Sequence, residues 1–175
     1  MSVISVEQVK DKKRTRDFLD VPFSLYREDP HWVAPLYLER LEHLDTKKNP
    51  YFQHADAQLF VAYCDGKPVG RVSAQHDRLR LEHHKDGMGQ FGFFESIDDP
   101  AVARALFDAA GQWLKVRGLT RVQGPYNFSI NDELGMLVHG FDSRPNMMMG
   151  HGRPYYQNLI EGMGFRKAKD LIAYF

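Results

Sequence analysis

The sequence is poor in the features that mark several specialised classes of protein. It has one cysteine, Cys64, so no disulfide can form within the chain, and it has no apolar run long enough to span a bilayer. Lysine plus arginine and aspartate plus glutamate both number 23, so the excess of positive charge typical of nucleic-acid-binding proteins is missing. The first twenty residues are charged and lack the apolar core of a signal peptide. We therefore expect a cytoplasmic protein with no nucleic-acid and no membrane partner.

The length and the order of the sequence patterns indicate a single α/β domain over residues 1–175. Two apolar runs joined by Asp65-Gly66-Lys67 predict a β-hairpin, because an Asp-Gly pair suits its tight turn. The other patterns predict, in chain order, strand Ser2–Val9, helices Asp11–Tyr26 and Leu36–Leu44, hairpin strands Gln58–Cys64 and Pro68–Gln75, helix Arg153–Met163 and a final strand Lys167–Phe175. The fold class is therefore α/β in the broad sense (α+β), a mixed sheet flanked by helices.

The clearest pattern runs from Gln90 to Leu119. An aromatic strand, QFGFFES, is followed by a polar turn and then by a helix whose N-cap is Asp99 and whose first residue is Pro100. Apolar residues recur at three- and four-residue steps as far as Val116, and Gly118 ends the helix. A second strand, LTRVQGP, follows directly. A strand, a helix and a strand with such short connections predict a right-handed crossover between two parallel strands of the sheet.

The densest group of polar residues follows the second strand of this crossover. It contains Asn127, Asn131, Asp132 and Glu133. Ligands of open α/β sheets bind beyond the carboxyl ends of the strands, so these side chains are candidates for holding a substrate amine. Glu133 is also a candidate base that would act through a water molecule. The alternative interpretation is a turn closed by Asx hydrogen bonds and a helix N-cap.

No metal site is predicted. His83 and His84 are adjacent and therefore diverge on a helix or a strand, and no third ligand stands at a suitable spacing. Cys64 lies inside a predicted strand, which favours a buried structural role over that of a nucleophile. The sequence signatures of Walker loops, nucleophile elbows and Rossmann dinucleotide sites are also absent.

The order of elements and two motifs resemble the GNAT superfamily of acyl-coenzyme A-dependent N-acyltransferases. After their fourth strand, its members carry Gln or Arg, then two spaced glycines or alanines, at the start of a helix that ends in glycine. Counted back from Gly118, this sequence places Asp98 at the Gln/Arg position and Ala101 and Ala103 at the two glycine positions. A later helix that bears tyrosine and ends in Gly-Phe is matched by YYQNLIEGMGF. The similarity covers most of the chain.

The resemblance implies a GNAT-like acyltransferase fold and an acyl-coenzyme A cofactor, either acetyl-CoA or another acyl-CoA. The residues that correspond to the family's cofactor site are Phe93, Phe94, Glu95 and Ser96 on the strand and Ala101 and Ala103 at the helix N-terminus, where the family binds pyrophosphate. The sequence departs from the family pattern in the turn between them. Asp98 and Asp99 are acidic there, and Pro100 has no N–H group to offer a phosphate.

The tyrosine that serves as general acid in many family members is replaced by Ile160. Tyr155 and Tyr156 lie about one helical turn earlier. We take Tyr156 as the candidate substitute, with Glu133 as the other group that manages protons. Packing of this helix against the sheet is the alternative role for both tyrosines.

A more specific similarity links GFFE, DDP and GP-x-N-x-S-x-N-D-E-x-G to a poorly characterised bacterial branch of the superfamily, whose members are often longer than this chain. The single GNAT-like domain is therefore expected to be complete or to be the N-terminal part of a longer protein. The edge of the final strand, DLIAYF, would also allow a homodimer.

The sequence is compatible with three functions. The first is N-acyl transfer from acyl-CoA to a small-molecule amine. The second is a non-catalytic GNAT-like module that binds a ligand or a partner. The third is another small-molecule enzyme that uses the Asn127–Glu133 cluster without coenzyme A.

Overall fold

The computed structural model describes residues 3–172 as one mixed sheet with helices packed against it. The strands are β1 (Ile4–Gln8), β2 (Ala55–Cys64), β3 (Lys67–Asp77), β4 (Met88–Ser96) and β5 (Arg121–Gln123), and they lie side by side in that order. The pairs from β1 to β4 are antiparallel, whereas β4 and β5 are parallel. The predicted hairpin, the parallel crossover and the mixed α/β fold are therefore confirmed.

Five helices are present in the described part of the chain. They are α1 (Lys12–Leu25), α2 (Tyr37–Leu44), α3 (Arg78–His84), α4 (Pro100–Lys115) and α5 (Tyr156–Glu161), and a 3-10 turn covers Pro50–Gln53. Helix α4 begins as predicted, because the Asp99 side chain accepts a hydrogen bond of 2.8 Å from the Ala101 N–H. None of these helices combines the length and the apolarity needed to cross a membrane.

The final strand predicted at Lys167–Phe175 is wrong over its described part. Residues 167–172 run as irregular chain, with Leu171 and Ile172 exposed, and residues 173–175 lie outside the described range. The apolar pattern of this segment finds little to pair with, because the strand at that edge of the sheet, β5, is only three residues long. An edge strand that could support a homodimer is not formed in residues 167–172.

The sheet is buried on both faces, and the two faces differ in character. On one face, α4 packs Val102 and Leu106 against Val72 of β3 in a core of mainly aliphatic and some aromatic side chains. On the other face, Phe18 of α1 and Phe93 of β4 lie in a core rich in aromatic rings. Side chains alternate along a strand, so β3 sends Val72 to the first core and its neighbour Arg71 to the second. The candidate site lies beside this second core.

Strand β4 changes course at Phe93, where it separates from β5. The ladder with β5 ends at Gln90, and Phe93 has a φ of 49° next to a shift in the pairing register with β3. At Gly92, a Cβ atom would lie 1.7 Å from the carbonyl oxygen of Tyr126. Only glycine permits this approach, so the chain after β5 can cross close to β4 just before the strands diverge.

We predict that Gly92→Ala destabilises the protein by more than about 3 kcal/mol, because the added methyl group forces the Tyr126 backbone away from β4. Gly111→Ala is the matched control, since Gly111 lies inside α4 with no atom within 4 Å of an added Cβ. It should stabilise the protein by up to about 1 kcal/mol. Urea denaturation of the two variants checks both values. Equal effects of the two substitutions on the free energy of unfolding would contradict the close contact between the Gly92 and Tyr126 backbones.

Candidate active site

A cavity of about 120 Å³ lies where β4 has separated from β5. Residues of α1, of the segment 32–40, of β3 and β4, and of the segment 125–151 line it. The polar side chains among them are Arg40, Arg71, Glu95, Asn127, Glu133 and His151. Most of the other lining side chains are aromatic, proline or aliphatic. A mainly apolar cavity with a few convergent polar groups is the usual composition of a small-molecule site.

Glu95 is the most deeply buried acid of the cavity. The hydroxyl groups of Tyr26 and Tyr156 each donate a hydrogen bond of 2.6 Å to its Oε2 atom. A guanidinium nitrogen of Arg71 lies 3.5 Å from its Oε1 atom. Burial raises the pKa of Glu95, and the two tyrosines and Arg71 only partly oppose this rise. The carboxyl group is therefore held by three partners in a poorly solvated place.

Arg71 is buried together with Glu95, and its planar group contacts two aromatic rings. It lies over the rings of Phe18 and Phe93, 5.0 Å and 5.7 Å from their centroids, and it donates a hydrogen bond of 3.1 Å to the Phe18 carbonyl oxygen. Burial lowers the pKa of Arg71. Because Glu95 is its nearby acid, loss of either partner would leave an uncompensated charge inside the protein.

Helix α5 is fastened to the end of β4 by the two tyrosines that the sequence singled out. The Tyr155 hydroxyl donates to the Ser96 carbonyl oxygen at 2.8 Å. The Tyr156 hydroxyl, besides donating to Glu95, accepts a hydrogen bond of 3.3 Å from the Ser96 N–H. Burial raises the pKa of Tyr156 well above its ordinary value. The structure thus brings together the predicted residues Tyr156, Glu95 and Ser96, and Phe94 packs edge-on against the Tyr156 ring.

The loop after β5 is connected to the bend in β4 through Asn127. Its Oδ1 atom accepts a hydrogen bond of 2.7 Å from the Phe93 N–H, and its Nδ2 atom donates one of 2.9 Å to Glu133 Oε2. The other carboxylate oxygen of Glu133 is paired with Arg40. Both oxygens of Glu133 are therefore engaged, which makes this residue an anchor for the loop as well as a cavity-lining acid.

The other two residues of the predicted cluster lie further from the cavity. Asp132 accepts hydrogen bonds from the N–H and the hydroxyl of Ser129 at 3.1 Å and 2.7 Å, as an Asx-type turn requires. Asn131 is exposed, and its N–H donates to the Ser129 hydroxyl. His43, whose pKa burial lowers, has its Nε2 atom 3.7 Å from Asp132. Asn127 and Glu133 thus reach the cavity lining, whereas Asn131 and Asp132 build the turn.

The N-terminus of α4 fits a pyrophosphate poorly. Pro100 has no N–H, the Ala101 N–H is taken by the Asp99 carboxylate, and the Ala103 N–H donates to the Asp99 carbonyl oxygen at 3.2 Å. Ala101 is exposed, as a phosphate contact requires, whereas Ala103 is fully buried in the core. A bound phosphate would have to displace the Asp99 side chain and would meet its negative charge.

Three residues of the site were missed by the sequence reasoning, namely the cavity-lining Arg71 and His151 and the Glu95 partner Tyr26. Arg71 carries a usable signal, because it is a charged residue inside a predicted strand and must find an acid if it is buried. Tyr26 and His151 carry no local signal, since their partners lie far along the chain. Among residues 3–172, no group of three or more histidine, cysteine or acidic side chains is arranged to hold a metal ion.

Comparison with solved structures shows which known proteins share this fold. The aminoglycoside N-acetyltransferase AAC(6')-Iy, solved with a bisubstrate analogue of coenzyme A, matches with a TM-score of 0.57 and 15% identity over 99% of this chain and 98% of that chain. A predicted acetyltransferase from Clostridium acetobutylicum, solved with acetyl-CoA, matches with a TM-score of 0.53 and 11% identity over 99% of this chain and 96% of that chain. The chain therefore has the fold of these acetyltransferases.

Sequence comparison finds nearer relatives among curated proteins. A bacterial ceramide synthase from Caulobacter vibrioides is 45% identical over 98% of this chain, and protein YghO from Escherichia coli is 44% identical over 94% of it. The aligned regions cover 45% and 42% of those proteins, so the chain spans less than half the length of either. No family model matches the chain.

The raised pKa of Glu95 predicts a pH-dependent effect of Glu95→Gln. Above the pKa of an unfolded glutamate, about 4.3, the unfolded state releases a proton that the folded state retains. The stabilising contribution of this group is therefore complete below that pH and is lost as the pH rises through the folded pKa. E95Q does not titrate, so its free energy of unfolding should increase relative to the wild type as the pH rises, and then level off.

Urea denaturation at a series of pH values measures this difference. Glu28 is exposed, and the matched control E28Q should follow the wild type within about 0.5 kcal/mol. A wild-type protein that gains stability relative to E95Q with rising pH would show instead that Arg71 stabilises the ionised carboxylate more than burial disfavours it.

Proposed function

We propose that this chain is an N-acyltransferase that moves an acyl group from acyl-CoA to an amine in the cavity beside β4. The observation that carries the proposal is the bend of β4 at Phe93, which opens the strand edge onto a cavity lined by the buried Glu95. The fold shared with solved acetyltransferases that contain coenzyme A or its analogues supports the same reaction.

In this reaction the amine nitrogen forms a bond to the thioester carbonyl carbon, the carbon–sulfur bond breaks, and the sulfur leaves with the electron pair. The nitrogen loses one proton, and the released thiolate takes one up. The chain must hold the amine against the bent part of β4 and exclude water. Glu95, Tyr26 and Tyr156 fix the end of β4 for this purpose, because both tyrosine hydroxyls donate to Glu95 and the Ser96 N–H donates to Tyr156.

The acyl donor is expected to bind along the edge of β4. When bound, acyl-CoA supplies the activated acyl group, and the edge of β4 from Phe93 to Ser96 is the surface that would receive its thioester end. The N-terminus of α4 offers its phosphates few free N–H groups, as described above. We therefore assign no step to that helix end and expect donor affinity to depend mainly on contacts near β4.

The rim of the cavity indicates an acceptor with a long apolar chain. Val33 and Met149 both line the cavity and are 54% and 36% exposed. Leu36 and Met147, which lie close to them in sequence, are 72% and 91% exposed. Exposed apolar side chains that line a pocket favour an apolar ligand. A ceramide is an amide of a long-chain amino alcohol, so the name of the Caulobacter vibrioides relative is consistent with an acceptor of this class.

A non-catalytic GNAT-like module is the second candidate function. The observation that favours it is the closed N-terminus of α4, where Asp99 already occupies the Ala101 N–H. Such a module would bind a long-chain ligand in the same cavity without turning it over.

The direct test is an assay of the full chain with palmitoyl-CoA and a set of primary amines of increasing alkyl length. Mass spectrometry of the N-acyl product and release of free thiol are measured together. We expect amide formation whose kcat/KM rises with the length of the amine. Thermal stabilisation by a long-chain amine without any amide product would favour the non-catalytic module. The absence of both amide product and thermal stabilisation would contradict both functions.

We predict that Val33→Asp raises KM for a long-chain amine about tenfold, because the acid breaks an apolar contact worth about 1.4 kcal/mol. The KM for a short-chain amine should change much less. The matched control is Val116→Asp at the end of α4, where Val116 is 74% exposed and does not line the cavity. Equal effects of the two substitutions on KM would rule out the rim as part of the acceptor site.

A further inference from the structure

We propose that His151, oriented by Asp29, is the general base that removes the proton from the acceptor amine. This assignment rests on the proposed acyl transfer and names a residue for a step that the cluster around Glu95 leaves open. His151 lines the same cavity as Glu95, and only 5% of its side chain is exposed.

The ring orientation of His151 is set by Asp29. Its Nε2 atom lies 3.0 Å from Asp29 Oδ2. Burial alone would raise the pKa of Asp29, but hydrogen bonds from His151 and from the His31 N–H lower it below its ordinary value. The carboxylate is therefore ionised and only accepts hydrogen bonds, so the proton of the neutral imidazole lies on Nε2.

The other ring nitrogen is then a free proton acceptor. Nδ1 of His151 is buried and has no hydrogen-bond partner among the described residues. An unpaired buried polar atom costs about 1–3 kcal/mol, and a substrate N–H group that reached this atom from the cavity would remove that cost. An aspartate that fixes the tautomer and a histidine nitrogen without a hydrogen-bond partner together form the arrangement that general-base catalysis requires.

The two acids that line the cavity are less suited to this step. Both tyrosine hydroxyls donate to Glu95, and Arg71 faces its second oxygen. Glu133 is engaged by Arg40 and by Asn127. A carboxylate that already holds two or three donors has to give one up before it can receive a proton from an amine.

The proton balance of the step is complete. As the carbon–nitrogen bond forms and the carbon–sulfur bond breaks, the nitrogen transfers its proton to Nδ1, and the imidazolium later returns a proton to the thiolate or to solvent. Asp29 stabilises the imidazolium as its ion-pair partner. The other groups that face His151 are Tyr26, whose ring lies edge-on at 5.2 Å, and Arg153, which is 3.7 Å from Asp29 and above the Tyr26 ring.

The test is the substitution His151→Gln. The glutamine Nε2 can keep the hydrogen bond to Asp29, but the basic nitrogen is gone. We expect kcat for palmitoyl transfer to a long-chain amine to fall about 100-fold, with KM nearly unchanged. The ascending limb of the pH–rate profile that a histidine base produces should disappear in the same variant. Asp29→Asn should lower kcat less and should shift that limb.

His54 provides the matched control. It forms a comparable pair with Asp77, with 2.9 Å between Nδ1 and Oδ1, but it does not line the cavity. His54→Gln should therefore leave kcat and the pH profile unchanged. A wild-type enzyme that is active while H151Q retains more than half of its kcat and the same pH profile would overturn the assignment of His151 alone. A wild-type chain with no transfer to any amine would overturn the proposed function instead.

Nitrogen-15 NMR of the histidine rings gives a readout that does not depend on activity. The resonances of His151, assigned by comparison with H151Q, should show a protonated Nε2 and an unprotonated Nδ1 at neutral pH. Addition of a long-chain amine should shift the Nδ1 resonance and leave that of His54 unchanged. A protonated Nδ1 in the neutral ring, or no response to the amine, would contradict the base assignment even if the enzyme is active.

Discussion

The hydrogen bond from the Phe93 N–H to Asn127 Oδ1 is the contact on which the candidate site depends. It ties the bend of β4 to the loop after β5, at the point where Gly92 allows the two backbones to approach. Beyond that point the strands separate, and the space between them becomes the cavity. The same loop then carries Glu133 back to Arg40 at α2, so one asparagine connects the sheet, the loop and the helix. A regular ladder between β4 and β5 would have closed this region with backbone hydrogen bonds.

Burial of charge is the main energetic cost of the site. Glu95 and Arg71 are both removed from water, and their ion pair has a separation of 3.5 Å, which is too long to compensate for desolvation alone. Two tyrosine hydroxyl groups and two aromatic rings supply the remaining stabilisation. Replacement of a buried ion pair by apolar residues of the same size is often neutral or stabilising, so the buried charges of this site point to a role in function.

The elements with local signals could be predicted from the sequence, and the assembly of the site could not. Asp99 and Pro100 specify the start of α4, and the Asp-Gly turn specifies the hairpin, because caps and tight turns depend on residues a few positions apart. The contacts of Glu95 with Tyr26 and of His151 with Asp29 span 69 and 122 residues, and no periodicity records such pairings. The final strand failed for a related reason, since an apolar alternation forms a strand only where a long enough neighbour is available. Glu133 was a candidate base in the sequence, but its side chain is paired with Arg40, which also lies far away along the chain.

The central claim is that the cavity beside β4 is where an amide is formed, and a crystal structure of the protein with an N-acyl long-chain amine tests it most directly. The amide group of this product analogue should lie between the bend at Phe93 and the His151 ring, with its nitrogen within about 3.2 Å of Nδ1. The alkyl chain of the amine should leave past Val33 and Met149. An amide bound on another surface, with the cavity unchanged, would contradict the account.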